Sequence, residues 1–174
     1  KEQGQNKCVC KKWETLNTQS IEQSPKKVFE TTEELRKAVL RYCNQGGWLY
    51  DQYGEEDSEL PPPTRSQRQM AFDLYGNVIN EWNVCDIEVF DYVFDNCKEF
   101  DEDISSWNTS NAKSMKFMFG GASSFNQPLN AWKTYNVEDM ISMFCGASSF
   151  NQPLNAWKTY NVEDMISMFC GASS

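Results

Sequence analysis

The chain has 174 residues, 16 Lys plus Arg against 25 Asp plus Glu, a formal net charge of -9 and no histidine. A pI near 4.6 excludes electrostatic binding of nucleic acid or of an anionic membrane, because phosphates must be met by positive charge. The missing histidine removes the commonest general base, the Ser/His/Asp and Cys/His nucleophile systems and every histidine-containing metal site. No apolar run approaches the ~18 residues that cross a bilayer.

Residues 1–27 are polar without sustained periodicity and read as an N-terminal arm, with Cys8, Cys10 and Trp13 as its only anchors. Residues 28–74 read as an N-terminal helical cap. Thr31, with Glu34 three residues on, makes a capping box ahead of Leu35, Ala38, Val39, Tyr42 and Cys43, and this predicts a helix from about Thr32 to Cys43. Within the cap, 51–69 carries Glu55, Glu56, Asp57, Glu59 and Pro61-Pro62-Pro63, the composition of an extended, solvated insertion.

From 75 to 174 the sequence is periodic. Trp82, Trp107, Trp132 and Trp157 recur every 25 residues, as do Phe94, Phe119, Phe144 and Phe169, and Phe100, Phe125 and Phe150. Phe90, Met115, Met140 and Met165 form a further apolar column, and Gly121 to Cys145 is identical to Gly146 to Cys170. A unit this short cannot bury enough apolar surface to offset the cost of ordering itself, so its core must be shared with its neighbours. Asn136 reads as a helix N-cap before a stripe of Val137, Met140, Ile141 and Phe144, whereas Pro153, Leu154 and Trp157 suit an extended arc. These features predict an α/β repeat solenoid, leucine-rich-repeat-like with 25-residue rungs and an N-terminal helical cap, with an all-β solenoid as the alternative. The start at Lys1 and the restarted pattern at Gly171 read as a fragment of a longer precursor.

The unit Met-Phe-x-Gly-Ala-Ser-Ser-Phe-Asn-Gln-Pro-Leu-Asn-x-Trp, at Met143 to Trp157, followed by Asn-Val-x-x-Met at Asn161 to Met165, resembles the BspA-type repeat of mycoplasma and algal surface proteins. The resemblance implies a fold distantly related to leucine-rich repeats, a role in surface adhesion or binding, and no assigned catalytic residues.

Candidate chemistry is sparse. Cys8, Cys10, Cys43 and Cys85 on the cap side are candidates for two disulfides of open connectivity, while a lone Cys-x-Cys lacks the usual zinc spacing. Cys97 reads as a buried small residue, and Cys145 and Cys170 as thiols stacked one rung apart, with a bridge between them depending on local geometry. The first rung is acidic, and Asp101 and Asp103 are a weak calcium candidate without the Asp-x-Asp-x-Asp-Gly pattern. Asn108-Thr109-Ser110 is an N-glycosylation sequon. Exact duplication writes one surface twice, so the ligand-binding ladder is expected at Asn126, Gln127, Thr134, Tyr135, Asn151, Gln152, Thr159 and Tyr160. The expectation is a non-catalytic structural or adhesive module, extracellular or at the cell surface. It needs no cofactor, its partner is a protein or glycan surface, and this segment makes no direct membrane insertion. The alternatives are a glycan-binding or glycan-active module using the acidic first rung, and a subunit of a larger filament or complex.

Overall fold

The computed structural model describes residues 26–43, 47–50, 56–60, 73–76 and 78–172. The elements run α1 (Thr32–Tyr42), β1 (Gly47–Tyr50), β2 (Glu56–Leu60) and a short 3₁₀ turn (Ile79–Glu81), after which the chain winds into stacked 25-residue turns. Residues 1–25 lie outside the described residues, and with them Cys8, Cys10 and most of the expected arm. Part of the expected solvated insertion is paired instead: β2 runs antiparallel to β1, with Gly47 opposite Leu60 and an irregularity between Leu49 and Tyr50.

The helix starts where the sequence places it. Thr31 is extended at φ -136° and ψ 153°, and its Oγ1 accepts from the Glu34 N–H at 3.1 Å. The return bond differs from a standard capping box, because Glu34 Oε2 accepts from the Glu30 N–H at 3.0 Å. Glu34 also accepts from Tyr75 Oη at 2.6 Å and from Lys27 Nζ. Burial opposes ionisation of Glu34, but the donors from Lys27, Tyr75 and the Glu30 N–H outweigh it and hold this carboxyl below its usual range. A depressed acid contributes stability that is present above the ordinary carboxylate pKa and is lost as pH falls through the folded-state value. The urea midpoint is therefore expected to drop as pH is lowered below about 4.5, with a smaller drop in Glu34→Gln measured over the same series. Asp91 works in the opposite sense. Burial raises its carboxyl against the bonds from Ser114 Oγ and the Lys116 N–H, so its cost is relieved in acid and the comparison with Glu34→Gln separates the two.

The α/β leucine-rich-repeat-like fold class is corrected by the structure, and so is the all-β alternative. Beyond the 3₁₀ turn the described residues contain no helix and no strand, only tight turns joined by isolated parallel bridges at Val89–Ser114, Ser114–Asp139 and Asp139–Asp164. The reason lies in where alternate N–H groups point. Met115, Phe117, Phe119 and Gly121 donate to carbonyls of the next turn, at Asp139, Ile141, Met143 and Cys145, over 2.7–3.0 Å. Between them Met118, Gly120 and Ala122 donate back three residues within their own turn. The same alternation holds for 90–97 and for 140–147. A helix would need all of these donors internally, and a strand would need none of the back-bonds.

Two left-handed positions per turn make that alternation possible. Tyr92, Phe117, Ser142 and Ser167 share one column at φ 59°, 49°, 52° and 55°. Ser142 interrupts the stripe from Val137 to Phe144 in its middle, where each left-handed non-glycine residue costs about 1–2 kcal/mol. The second column is Asn96, Gly121, Gly146 and Gly171, at φ 57–75°. A Cβ on Gly146 would stand 3.4 Å from the Gly121 Cα, so glycine serves both the backbone angle and the close approach of turns. Asn136, the expected N-cap, uses its side-chain amide to reach the previous turn, donating to Ser110 O at 2.8 Å.

The columns seen in the sequence do share one interior. Phe94, Phe119, Phe144 and Phe169 stack at 5.3, 5.4 and 5.4 Å with interplanar angles of 1–5°. Phe100, Phe125 and Phe150 stack likewise at 5.7 and 5.9 Å. Three buried indoles find an acceptor one turn back: Trp107, Trp132 and Trp157 donate from Nε1 to Ile79 O, Ile104 O and Leu129 O, while Trp82 Nε1 donates to Gly76 O at 3.0 Å. A single cluster runs from Phe29 and α1 to Met168, and no buried side-chain nitrogen or oxygen among the described residues is left without a partner.

Candidate functional site

The two ends of the stack differ chemically. Each turn donates forward, so the first turn leaves its carbonyls facing the N-terminal side. Thr32 Oγ1 donates to Val89 O at 2.6 Å, and Arg36 donates to Asp91 O through Nε at 2.7 Å and through Nη2. The Arg36 guanidinium also lies 5.4 Å over the Tyr92 ring, which stacks at 5.3 Å on Phe117. Helix α1 thus closes the acceptor edge with side chains. At the other end Met165, Ile166 and Phe169 are 43%, 66% and 47% exposed. Among the described residues nothing accepts from the N–H groups of Met165, Ser167, Phe169 and Gly171.

The expected ladder divides in the structure. Thr134 is buried; its hydroxyl donates to Lys158 O at 3.1 Å and accepts from the Lys158 N–H at 2.8 Å. Thr109 holds Lys133 in the same way. Thr159, in the last turn, is exposed. Replacing Thr134 by valine is expected to cost about 1–3 kcal/mol, because the Lys158 amide loses its acceptor. Thr159→Val is expected to change stability by under about 0.5 kcal/mol; urea denaturation of both variants checks the contrast.

The amide rows also tie turns together. Asn126 Oδ1 accepts from the Asn151 N–H at 2.9 Å and from Gln152 Nε2 at 3.1 Å, while Gln127 Nε2 donates to Asp101 O at 2.9 Å. Asn151 is exposed, Tyr135 is half-buried and Tyr160 is 72% exposed. Asn151, Thr159 and Tyr160, with the exposed Lys133 and Lys158, are the parts of this face most open to a partner, and Tyr135 is partly open.

The acidic first turn does not gather its carboxylates in one place. Asp101 Oδ1 accepts from the Asn126 N–H at 2.8 Å, and Asp103 accepts from the Ser105 N–H and from Asn80 Nδ2. Glu81 pairs with Lys26 and Glu88 with Lys113, both at 2.6 Å. Among the described residues no group of three or more Cys, Asp or Glu lies close enough to hold a metal ion. Cys43 and Cys85, grouped by sequence as disulfide candidates, have separate surroundings. The Cys43 thiol hydrogen-bonds with Cys97, a contact that together with burial pushes Cys97 well up, while Cys85 Sγ donates to Asp86 Oδ1 at 3.4 Å. Asn108 of the sequon is exposed beside the buried Trp107, and its Oδ1 accepts from the Ser110 N–H at 3.2 Å.

One open groove escaped the sequence reading. Lys113, Ser114, Lys116, Glu138, Asp139, Glu163 and Asp164 line it. Lys116 pairs with Asp139 at 3.3 Å, and Lys113, Glu138 and Glu163 form one column. Their 25-residue spacing was legible, but charges outside a core are free to change sign from turn to turn, as Glu88, Lys113 and Glu138 do. With two lysines against four carboxylates in parallel rows, the groove is a patterned polar face, and its Ser114 hydroxyl donates to the Asp91 carboxylate.

The geometry defines a repeat protein of stacked, irregular 25-residue turns closed at one end by a helix. The family model described as "Mycoplasma protein of unknown function, DUF285" matches residues 66–174, and the chain belongs to that family. No curated protein and no solved structure matches the chain. No helix among the described residues is long and apolar enough to cross a membrane.

Proposed function

We propose that the chain is a non-catalytic interaction module of a cell-surface or extracellular protein, with a protein or glycan surface as its partner. The observation that carries this reading is the division of labour among its polar groups. Backbone amides, buried threonines and the asparagine row hold one turn on the next, and the outward remainder repeats across the two identical turns 121–145 and 146–170. Catalysis needs different groups converging once, whereas a repeated row suits an extended or periodic partner. The BspA-type resemblance of the repeat supports a surface role, and membership of a Mycoplasma family is compatible with it.

The test is binding of the intact chain to an oligosaccharide array, run beside turnover assays on the same sugars. The expected result is binding weakened about tenfold or more by joint Tyr135→Ala and Tyr160→Ala substitution, with unchanged thermal stability and no turnover. Tyr and Trp side chains supply large contact area at low entropic cost. An array without binding removes the glycan partner and leaves a protein surface. Turnover abolished by a single substitution within a turn overturns the reading.

A second reading, a subunit of a larger assembly, is favoured by the open donor edge. Residues 146–170 repeat 121–145, so the exposed face is the one that 146–170 itself covers on its predecessor. Its fitting occupant is a turn of the same repeat presenting carbonyls, from a continuation of the chain or from a partner. A second copy docked tail to tail would set donors against donors, and one docked head to tail would meet α1. The chain alone is therefore expected to sediment as a monomer, and a concentration-dependent dimer would sink this second reading.

A further inference from the structure

Cys145 and Cys170 occupy the same position in two consecutive, identical turns. The residues just before them, Phe144 and Phe169, are related by a near-pure translation, with rings 5.4 Å apart and 2° from parallel. The residues just after them are as close: a Cβ on Gly171 would stand 3.7 Å from the Gly146 Cα, and the Gly146 N–H donates to Cys170 O at 2.7 Å. This spacing falls within the range of about 4.4–6.8 Å between Cα atoms that a disulfide spans. The column also reaches from turn to turn, since a Cβ on Gly120 would meet Asp95 Oδ1 at 2.5 Å. Burial and the facing Cys170 thiol push the Cys145 thiol up. Cys145 is half-exposed and Cys170 exposed, so a small oxidant reaches both; in the other thiol pair, Cys43 with Cys97, Cys97 is fully buried.

We propose that Cys145 and Cys170 form a reversible disulfide that staples the last described turn to the one before it. The staple acts on a turn whose N–H donors at 165, 167, 169 and 171 have no acceptor among the described residues. The oxidant is a small-molecule disulfide such as oxidised glutathione. The exposed Cys170 thiolate attacks one glutathione sulfur, its S–S bond breaks, and one glutathione thiolate leaves. The Cys145 thiolate then attacks Cys170 Sγ, forming the Cys145–Cys170 bond and expelling the second glutathione thiolate. Two cysteine thiols are oxidised, one glutathione disulfide is reduced, and the two thiol protons finish on the two glutathione molecules. The bond closes a 25-residue loop, which restricts the opened state of this turn.

The experiment treats the intact chain with oxidised glutathione, digests it with trypsin without reduction and identifies the fragments by mass. Cleavage after Lys133 and Lys158 separates Thr134–Lys158, carrying Cys145, from Thr159–Ser174, carrying Cys170. The expected product is these two fragments joined. Proteolysis within the last turn of the undigested protein is expected to slow by about tenfold or more on oxidation, fully reversed by dithiothreitol. Cys170→Ser, at an exposed site, should melt like the reduced protein and lose both effects. Fragments carrying separate glutathione adducts, links to other cysteines, or a joined pair without protection of the last turn would each overturn the proposal.

Discussion

Phe119→Ala is expected to cost about 3–5 kcal/mol, the range for deleting a fully buried phenylalanine. The ring is completely buried between Phe94 at 5.3 Å and Phe144 at 5.4 Å, and it packs on Phe125 at 4.2 Å and Trp132 at 6.1 Å. Its loss removes a contact from both faces of its turn, and in a stack each turn is held only by its neighbours. Phe169→Ala, in the same column, is expected to cost only about 1 kcal/mol, because this ring is 47% exposed and meets a partner on one side. Urea denaturation followed by circular dichroism measures the pair. Equal costs at the two positions would mean that the turns do not share one core.

The second large effect is expected at Arg36. Its guanidinium is buried at the junction of α1 and the first turn, donates twice to Asp91 O and stacks over Tyr92. Arg36→Met keeps most of the volume but leaves the part-buried Asp91 carbonyl without its donors, with an expected cost of about 2–3 kcal/mol. Arg36→Lys is expected to recover less than half of this, because an ammonium offers neither the planar fork nor the stacking face. Hydrogen exchange locates the damage. Amides of 32–42 and 90–97 should lose protection while those of 115–122 retain it. Uniform loss along the chain would mean that α1 does not act as a local cap.

How far the residues announce these features varies with the kind of signal. The capping box at Thr31 and the stripe from Leu35 placed α1 to within a residue, since N-cap bonding and helical periodicity are local. The Phe and Trp columns announced the shared interior, because identical neighbours can only bury identical side chains by stacking them. The stripe from Val137 to Phe144 misled. Apolar spacing reports which side chains face inward, and turns alternating with bonds to the next copy satisfy that spacing as well as a helix does. Ser142 at φ 52°, the residue that decides between them, carries no sequence mark of its conformation. Of the expected ladder, Thr134 and Asn126 proved to hold neighbouring turns, a role set by where each hydroxyl or amide finds its partner one turn away.

The amino-acid sequence by itself determined the 25-residue period, the identity of the inward columns, the N-terminal helix and the lack of histidine-based chemistry, all of which depend on residue type and spacing alone. Only the tertiary structure decided the backbone path within a turn, the donor and acceptor ends of the stack, and the closure of one end by Arg36 and Thr32. Those follow from the direction of N–H groups and from contacts between residues 24 to 57 positions apart, which exist only once the turns lie on one another.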